Sequence, residues 1–246
     1  MSRLADLKVK IFADGADYDG IVKMARNSLV KGFTTNPTLM RKAGVSDYEA
    51  FARKVLGTIT DRPVSFEVFA DDFASMAEQA RTIAAWGSNV NVKIPVTNTK
   101  GQTSNELIRA LSSEGVMLNV TAIFTLDQVR SVANALDPAT PAIVSVFAGR
   151  IADSGVDPIP HMAAAKKALA ERPKAQLLWA STRELLNIFH AEESGCDIVT
   201  VPNEFLAKLD LVGKDLVEYS RETVQLFYRD AAAAAYQIRT KRIAAE

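Results

Sequence analysis

Runs of five to eight mostly apolar residues, rich in valine and isoleucine, alternate along the chain with longer stretches in which apolar positions recur every three or four residues. The second spacing, as in Ile21, Met24, Ala25 and Leu29, places one apolar stripe on a helix. The short runs are β-branched and too brief for helices, so they are predicted to be strands. Strands are expected over 8–13, 32–36, 64–70, 90–96, 117–124, 142–148, 176–180 and 197–201. Helices are expected over 18–28, 47–59, 73–86, 104–113, 126–135, 160–171 and 183–192, with helical sequence from the end of the eighth strand onward. Gly32, Pro63, Gly87, Gly115 and Pro141 are read as punctuation at the junctions.

Strict alternation of strand and helix implies parallel strands joined by crossover helices. Strand runs apolar at most positions suit a parallel sheet covered on both faces. Eight such units in 246 residues match the count for a closed barrel. An open doubly wound sheet is the competing arrangement, but no glycine-rich fingerprint follows the first strand. Polar residues also recur at the end of nearly every strand instead of at one crevice. The expected fold is therefore α/β, a (β/α)8 TIM barrel forming a single domain over 1–246, with a C-terminal helical extension over 216–243 and no linker. On that extension Val224, Phe227, Ala231, Ala235 and Ile238 repeat at helical period, with Arg221, Arg229, Arg239 and Lys241 mostly off the stripe. One helix of that length would run roughly 40 Å, longer than the side of a barrel usually needs. It either bends back onto its own barrel or takes part in assembly.

Catalytic groups of such barrels sit at the C-terminal ends of the strands. Those ends carry Asp14, Asn36, Glu67, Lys93, Asn119 with Thr121, Ser145, and Ser181 with Arg183, and the eighth strand ends in Pro202 and Asn203. Lys93 is the sharpest of these, because it interrupts the apolar run Val90-Asn91-Val92-Lys93-Ile94-Pro95-Val96. A lysine in such a strand must be paired, neutral, or both. A neutral amine attacks carbonyls, which is the requirement for Schiff-base chemistry; a structural ion pair with Glu67 or Asp14 is the other reading. Ser181-Thr182-Arg183 marks a turn into a helix after the seventh strand, where backbone N–H groups favour anions and where barrels often bind phosphate. Alternatively Ser181 or Thr182 is a helix cap and Arg183 is solvated. Arg150 could reach the same pocket from the sixth strand.

Composition removes other classes. Lys plus Arg and Asp plus Glu are both 29, so the formal charge is zero and there is no electrostatic footprint for nucleic acid. Nothing marks an anionic membrane surface, no apolar run has the length of a membrane span, and the first ten residues lack a signal-peptide core. The single cysteine, Cys196, allows no intrachain disulfide and fits a reducing compartment, so a cytoplasmic protein is expected. His161 and His190 fall on outer helices without a second ligand at metal spacing, which also removes a Ser-His-Asp arrangement. No P-loop or kinase signature is present.

Six segments carry a family resemblance: Phe12-Ala13-Asp14-Gly15-Ala16-Asp17, Gly32-Phe33-Thr34-Thr35-Asn36-Pro37-Thr38-Leu39, Val92-Lys93-Ile94-Pro95, Leu118-Asn119-Val120-Thr121-Ala122-Ile123-Phe124, Phe147-Ala148-Gly149-Arg150-Ile151 and Ala180-Ser181-Thr182-Arg183. The chain resembles the transaldolases, and in length their small-subunit branch, which includes fructose-6-phosphate aldolases. The resemblance implies that Lys93 forms the Schiff base, that Asp14 takes and returns the C4 hydroxyl proton, and that Glu67 with Thr121 and a water handles protons around the carbinolamine. It implies that Asn36, Asn119 and Ser145 hold the dihydroxyacetone part, and that Ser181, Arg183 and Arg150 bind the sugar phosphate. No metal or organic cofactor is implied. Fructose-6-phosphate aldolases of the family tend to carry Gln in place of Glu67 and Tyr in place of Phe147, so both positions here look like transaldolase. Thr182 stands where the family more often has an aromatic residue, and Val146 where it often has Pro. The resemblance thus implies a transferase moving a dihydroxyacetone unit from fructose 6-phosphate or sedoheptulose 7-phosphate to an aldose phosphate, in carbohydrate metabolism and the pentose phosphate pathway. Hydrolytic release of free dihydroxyacetone is the alternative. Tails of the small-subunit branch tend to reach neighbouring subunits, so a homo-oligomer is expected.

Overall fold

The computed structural model describes residues 4–238. Eight parallel strands close into a barrel in simple sequence order. They are β1 (Lys10–Asp14), β2 (Val30–Thr34), β3 (Val64–Glu67), β4 (Val90–Pro95), β5 (Leu118–Ile123), β6 (Ala142–Val146), β7 (Ala175–Trp179) and β8 (Ile198–Pro202). The larger connecting helices are α1 (Tyr18–Ala25), α3 (Tyr48–Thr58), α4 (Phe73–Ala84), α5 (Asn105–Ser113), α6 (Leu126–Ala135), α8 (Pro158–Ala168) and α9 (Asn187–Glu193). Two short helices were not expected, α2 (Pro37–Lys42) and α7 (Ala148–Asp153), whereas α10 (Asn203–Leu206) opens the stretch expected to be helical after the eighth strand. Each of the two unexpected helices has six residues, too few for an apolar repeat to declare itself.

Local sequence explains most helix starts. Asp17, Asn36, Asp47, Asp72 and Asp157 each accept a backbone N–H with the side chain at the N-cap. Thr125 and Gln128 form a reciprocal capping box at α6. The strands alternate strictly. Odd positions of β4 and β5, such as Lys93 and Asn119, share one face, while Val92 and Val120 belong to the main core between sheet and helices. A second, smaller apolar cluster of Phe12, Ile143, Leu178, Ala180 and Ile198 lies on the opposite face of these strands, which in a closed barrel is the interior.

Gly32 was expected at a junction, but it lies inside β2 opposite Phe12. A Cβ there would come within 2.6 Å of the Phe12 ring, so the residue is glycine because that ring fills the barrel beside it. The expected helix over 183–192 begins later, at Asn187, and residues 181–186 form a loop. Ser181 breaks the chain direction there with φ +67°, in the left-handed region outside that of a right-handed helix.

Among the described residues, 4–209 form the barrel unit and 210–238 a separate compact unit. The latter contains α11 (Leu216–Ala233), capped by Asp215. Its 18 residues span about 27 Å at 1.5 Å each, shorter than the sequence suggested. The chain leaves the helix through Ala235 at φ +52°, and residues 239–243 of the expected helix, with Arg239 and Lys241, lie outside the described residues. None of the α11 residues is buried; Val224, Phe227 and Tyr228 are among its exposed apolar side chains.

Candidate active site

Period-two alternation turns every second side chain of each strand inward, and toward the C-terminal ends these are polar. Glu67 pairs in register with Lys93, and Lys93 with Asn119, so the three stand side by side on neighbouring strands. Asp14 stands in register with Thr34 on one side and Pro202 on the other. These side chains line one cavity of about 510 Å³. All eleven residues singled out from the sequence reach it: Asp14, Glu67, Lys93 and Thr121; Asn36, Asn119 and Ser145; Phe147, Arg150, Ser181 and Arg183.

Lys93 is 8 % exposed. Its Nζ donates to the carbonyl of Thr35 at 2.8 Å and lies 2.9 Å from Glu67 Oε2. The ion pair weighed from the sequence is therefore present, and it faces the cavity. A bound ammonium so placed needs only to pass a proton to become a nucleophile, so pairing and reactivity do not exclude each other.

Asp14 is held well above the usual carboxylate range. Burial is the dominant cause; the Lys93 charge and a hydrogen bond from Thr34 pull it down without offsetting that, and the Glu67 charge adds to the rise. Thr34 Oγ1 donates to Asp14 Oδ1 at 2.7 Å and also meets Thr200 Oγ1. With the Thr34 proton committed to the carboxylate, its oxygen must accept from Thr200. Two threonine hydroxyls thus fix the direction of the chain of hydrogen bonds that ends on Asp14.

Asn119 is fully buried. It donates from Nδ2 to Ser65 Oγ at 3.1 Å, while its Oδ1 accepts from Ser145 Oγ at 2.6 Å. Asn36 spends its Oδ1 on the Leu39 N–H at the start of α2. Among the described residues Thr121 Oγ1 has no protein hydrogen-bond partner. The strand carrying Thr121 bulges immediately after it: the β5–β6 register slips between Val120 and Ile123, and Ala122 has φ +59°. Such a bulge re-aims a side chain at the rim of a barrel.

At the opposite wall Arg183 is clamped by Asp153, with three N–H···O contacts of 2.6 to 3.0 Å. Hydrogen bonding to Arg183 lowers the Asp153 carboxyl below its usual range. The Arg150 guanidinium lies 5.3 Å from the Phe147 ring centroid. The helix start expected at the 181–183 turn is not there, although Ser181 and Arg183 both line the cavity. The helix starts at Asn187, and the Arg183 N–H is already bonded to Asn187 Oδ1 at 2.9 Å, so no helix N-terminus presents itself at Ser181. Neither Ser181 nor Thr182 caps a helix; Thr182 is buried and donates to the Thr200 carbonyl at 2.6 Å.

Sequence reasoning missed Thr34, Ser65 and Thr200. Each stands two residues before a strand-end position that was read, so the strand period would have found them. Asp153 gave no such signal, because it lies on the short α7. The other set-aside residues stay outside the cavity. His190 packs its ring 6.2 Å from Trp179, and His161 is half-buried, with burial pushing its imidazole down. Cys196 is buried before β8, and burial pushes its thiol up to about 12. Among the described residues no group of three or more His, Cys, Asp or Glu could hold a metal ion, and no helix is long and apolar enough to cross a membrane.

Known proteins share this sequence pattern and this barrel. The family model described as Transaldolase/Fructose-6-phosphate aldolase matches residues 11–246. A protein of Dehalococcoides mccartyi named probable transaldolase is 37 % identical over 202 residues, covering 82 % of this chain and 90 % of that protein. One from Listeria monocytogenes, named probable transaldolase 2, is 36 % identical over 202 residues, covering 82 % and 88 %. Among solved structures, KGPDC from Streptococcus mutans, crystallised as a ligand complex, superposes with a TM-score of 0.52 at 10 % identity, covering 79 % of this chain and 88 % of that one, a likeness of fold.

Proposed function

Since the chain belongs to the transaldolase/fructose-6-phosphate aldolase family, we propose that it is a transaldolase that moves a dihydroxyacetone unit between sugar phosphates through a Schiff base on Lys93. The observation that carries this reading is the placement of the Lys93 amine 2.9 Å from the Glu67 carboxylate, in the same cavity as a buried Asp14.

The steps follow from those groups. Lys93 gives a proton to Glu67, and the freed lone pair attacks C2 of a ketose phosphate. After attack the nitrogen loses a second proton, and Glu67, with Thr121 and a water, passes both protons to the C2 oxygen, which leaves as water, and the iminium remains. Asp14 removes the C4 hydroxyl proton. The C3–C4 bond breaks, its electrons pass into the iminium, and the aldose phosphate leaves. The enamine then adds to the carbonyl carbon of a second aldose phosphate, whose oxygen takes the proton back from Asp14. Hydrolysis of the new imine frees the product and Lys93. A carboxyl whose affinity for protons is raised by burial suits a group that must take and return one. Asn119, locked between Ser65 and Ser145, gives a fixed polar wall for the hydroxyls of the three-carbon unit, with Asn36 beside it. Ser181, Arg150 and Arg183 form the phosphate end, where a substrate phosphate competes with Asp153 for Arg183. Phe147 brings no hydroxyl near the imine, which favours transfer over hydrolysis.

The exposed apolar side chains of α11 support assembly into a homo-oligomer, with a second copy covering them. Membership of the family supports a place in carbohydrate metabolism, the pentose phosphate pathway, in the cytoplasm.

The test is the formation of sedoheptulose 7-phosphate from fructose 6-phosphate with and without erythrose 4-phosphate. Product that requires erythrose 4-phosphate is expected. Release of free dihydroxyacetone at the same rate without it would identify an aldolase instead. Borohydride added with fructose 6-phosphate should leave a three-carbon adduct on Lys93, and Lys93→Ala should abolish turnover. Undiminished activity of that variant would end the Schiff-base reading.

A further inference from the structure

We infer that Tyr48, outside the cavity, is a positioning residue for the reaction: its hydroxyl takes the place of a missing sheet hydrogen bond and so sets Glu67 against Lys93. This rests on the roles of Glu67 and Lys93 proposed above.

The β2–β3 ladder is short. It pairs Phe33 with Val64 and Thr34 with Ser65, and its last bond runs from the Thr35 N–H to the Ser65 carbonyl at 3.2 Å. In a parallel ladder the next bond would run from the Glu67 N–H to the Thr35 carbonyl. That bond is absent, and each of its halves has another partner. The Thr35 carbonyl accepts Lys93 Nζ at 2.8 Å. The Glu67 N–H donates to the Tyr48 hydroxyl at 2.7 Å, and that hydroxyl donates to the Glu67 carbonyl at 3.1 Å. One phenol therefore satisfies both main-chain groups of Glu67 on the side where β2 has peeled away. On the other side β3 stays tied to β4 through Val68 N–H and the Lys93 carbonyl at 3.1 Å. The opening between β2 and β3 leaves an acceptor for the Lys93 amine.

Tyr48 is built to hold that place. It opens α3, whose start is fixed by the Asp47 cap. Its ring packs against Phe69 at 4.5 Å, Trp86 at 5.6 Å and Phe66 at 6.0 Å. Burial pushes the phenol well above its ordinary range, so it stays protonated and able to donate.

Without the hydroxyl, two partly buried main-chain groups lose their partners. The nearest repair is for the Glu67 N–H to take the Thr35 carbonyl, in competition with Lys93. Either outcome moves the carboxylate relative to the amine, and small displacements of that kind are costly to rate.

The experiment compares wild type, Tyr48→Phe, Glu67→Gln, the double variant and Phe69→Leu, reading the rate of borohydride-trapped adduct at Lys93, kcat, KM for fructose 6-phosphate and Tm. Tyr48→Phe keeps the ring, so it should fold; it is expected to slow trapping and kcat together by about 10- to 100-fold, the scale of a misplaced proton-transfer group, with KM little changed. In the Glu67→Gln background the same change should slow the reaction little further, because both act through one carboxylate. Phe69→Leu loosens the aromatic cluster without removing the hydroxyl, so it should lower Tm and leave the trapping rate alone. Trapping by Tyr48→Phe at the wild-type rate, full additivity with Glu67→Gln, or an equal loss in Phe69→Leu would each overturn the positioning role. If wild type itself gives no adduct on Lys93, the reaction assigned above fails instead.

Discussion

Asp14 is the residue whose chemistry and stability oppose each other most plainly. Its carboxyl sits above the ordinary value of 3.8 because of burial, so the folded protein holds the proton to higher pH than the unfolded chain. Between 3.8 and the raised folded value, the native state binds more protons, and this group's contribution to stability falls as pH rises. Above that window a buried charge is carried at full cost. Asp14→Asn should therefore melt higher than wild type near pH 7, and the difference should shrink to nothing below pH 3.8. The same variant should trap the ketose on Lys93 yet turn over at least ~100-fold more slowly, the usual scale for an acid–base residue. Thermal melts across pH, paired with the trapping assay, check both; a variant as active as wild type, or no more stable at neutral pH, would count against Asp14 as the buried proton carrier.

At the scale of elements, the strained segments cluster at the cavity. Ala122 and Ser181, the non-glycine residues of the barrel unit with positive φ among those described, both line it. Strain of this kind persists only where the surroundings over-determine it. For Ser181 the surroundings are identifiable: a Cβ on Gly149 would lie 1.6 Å from the Ser181 carbonyl oxygen, and the Gly149 N–H donates to the Ala180 carbonyl at 3.2 Å. The start of α7 is thus pressed directly on the loop after β7. Gly149→Ala should force that loop outward, lower stability by about 1–3 kcal/mol, as overpacking does, and raise KM for phosphorylated substrates. Trapping of unphosphorylated dihydroxyacetone on Lys93 should be spared, since the three-carbon end is held by other strands. Equal losses with dihydroxyacetone and fructose 6-phosphate would show that the loop does not serve the phosphate end alone.

For the whole molecule, the main core cluster runs from Val9 to Leu209 and draws nothing from α11. A chain ended after Asp215 should keep that core and melt cooperatively, while its oligomer mass by light scattering falls. Full-length protein that is monomeric at micromolar concentration would sink the assembly reading. The barrel itself was legible in the sequence, because eight apolar runs and the helical stripes between them are local patterns set by the periods of strand and helix. The strand-end residues were legible for the same reason: Asp14, Glu67, Lys93 and Asn119 are polar groups in runs that are otherwise apolar. What the sequence could not state was who touches whom. That Thr34 and Thr200 meet at Asp14, that Asp153 holds Arg183, and that Tyr48 reaches Glu67 all join residues far apart in the chain. Barrel closure and strand register bring them together, and no periodicity records that. Nor could the sequence place the start of α9 after Leu186, because the left-handed turn at Ser181 is packed against Gly149 of a neighbouring unit of the barrel, a contact between residues far apart in the chain. Local pattern determined the strands, the helices and the inward polar row; tertiary packing alone decided the hydrogen-bond partners that set the charge and aim of each group in that row.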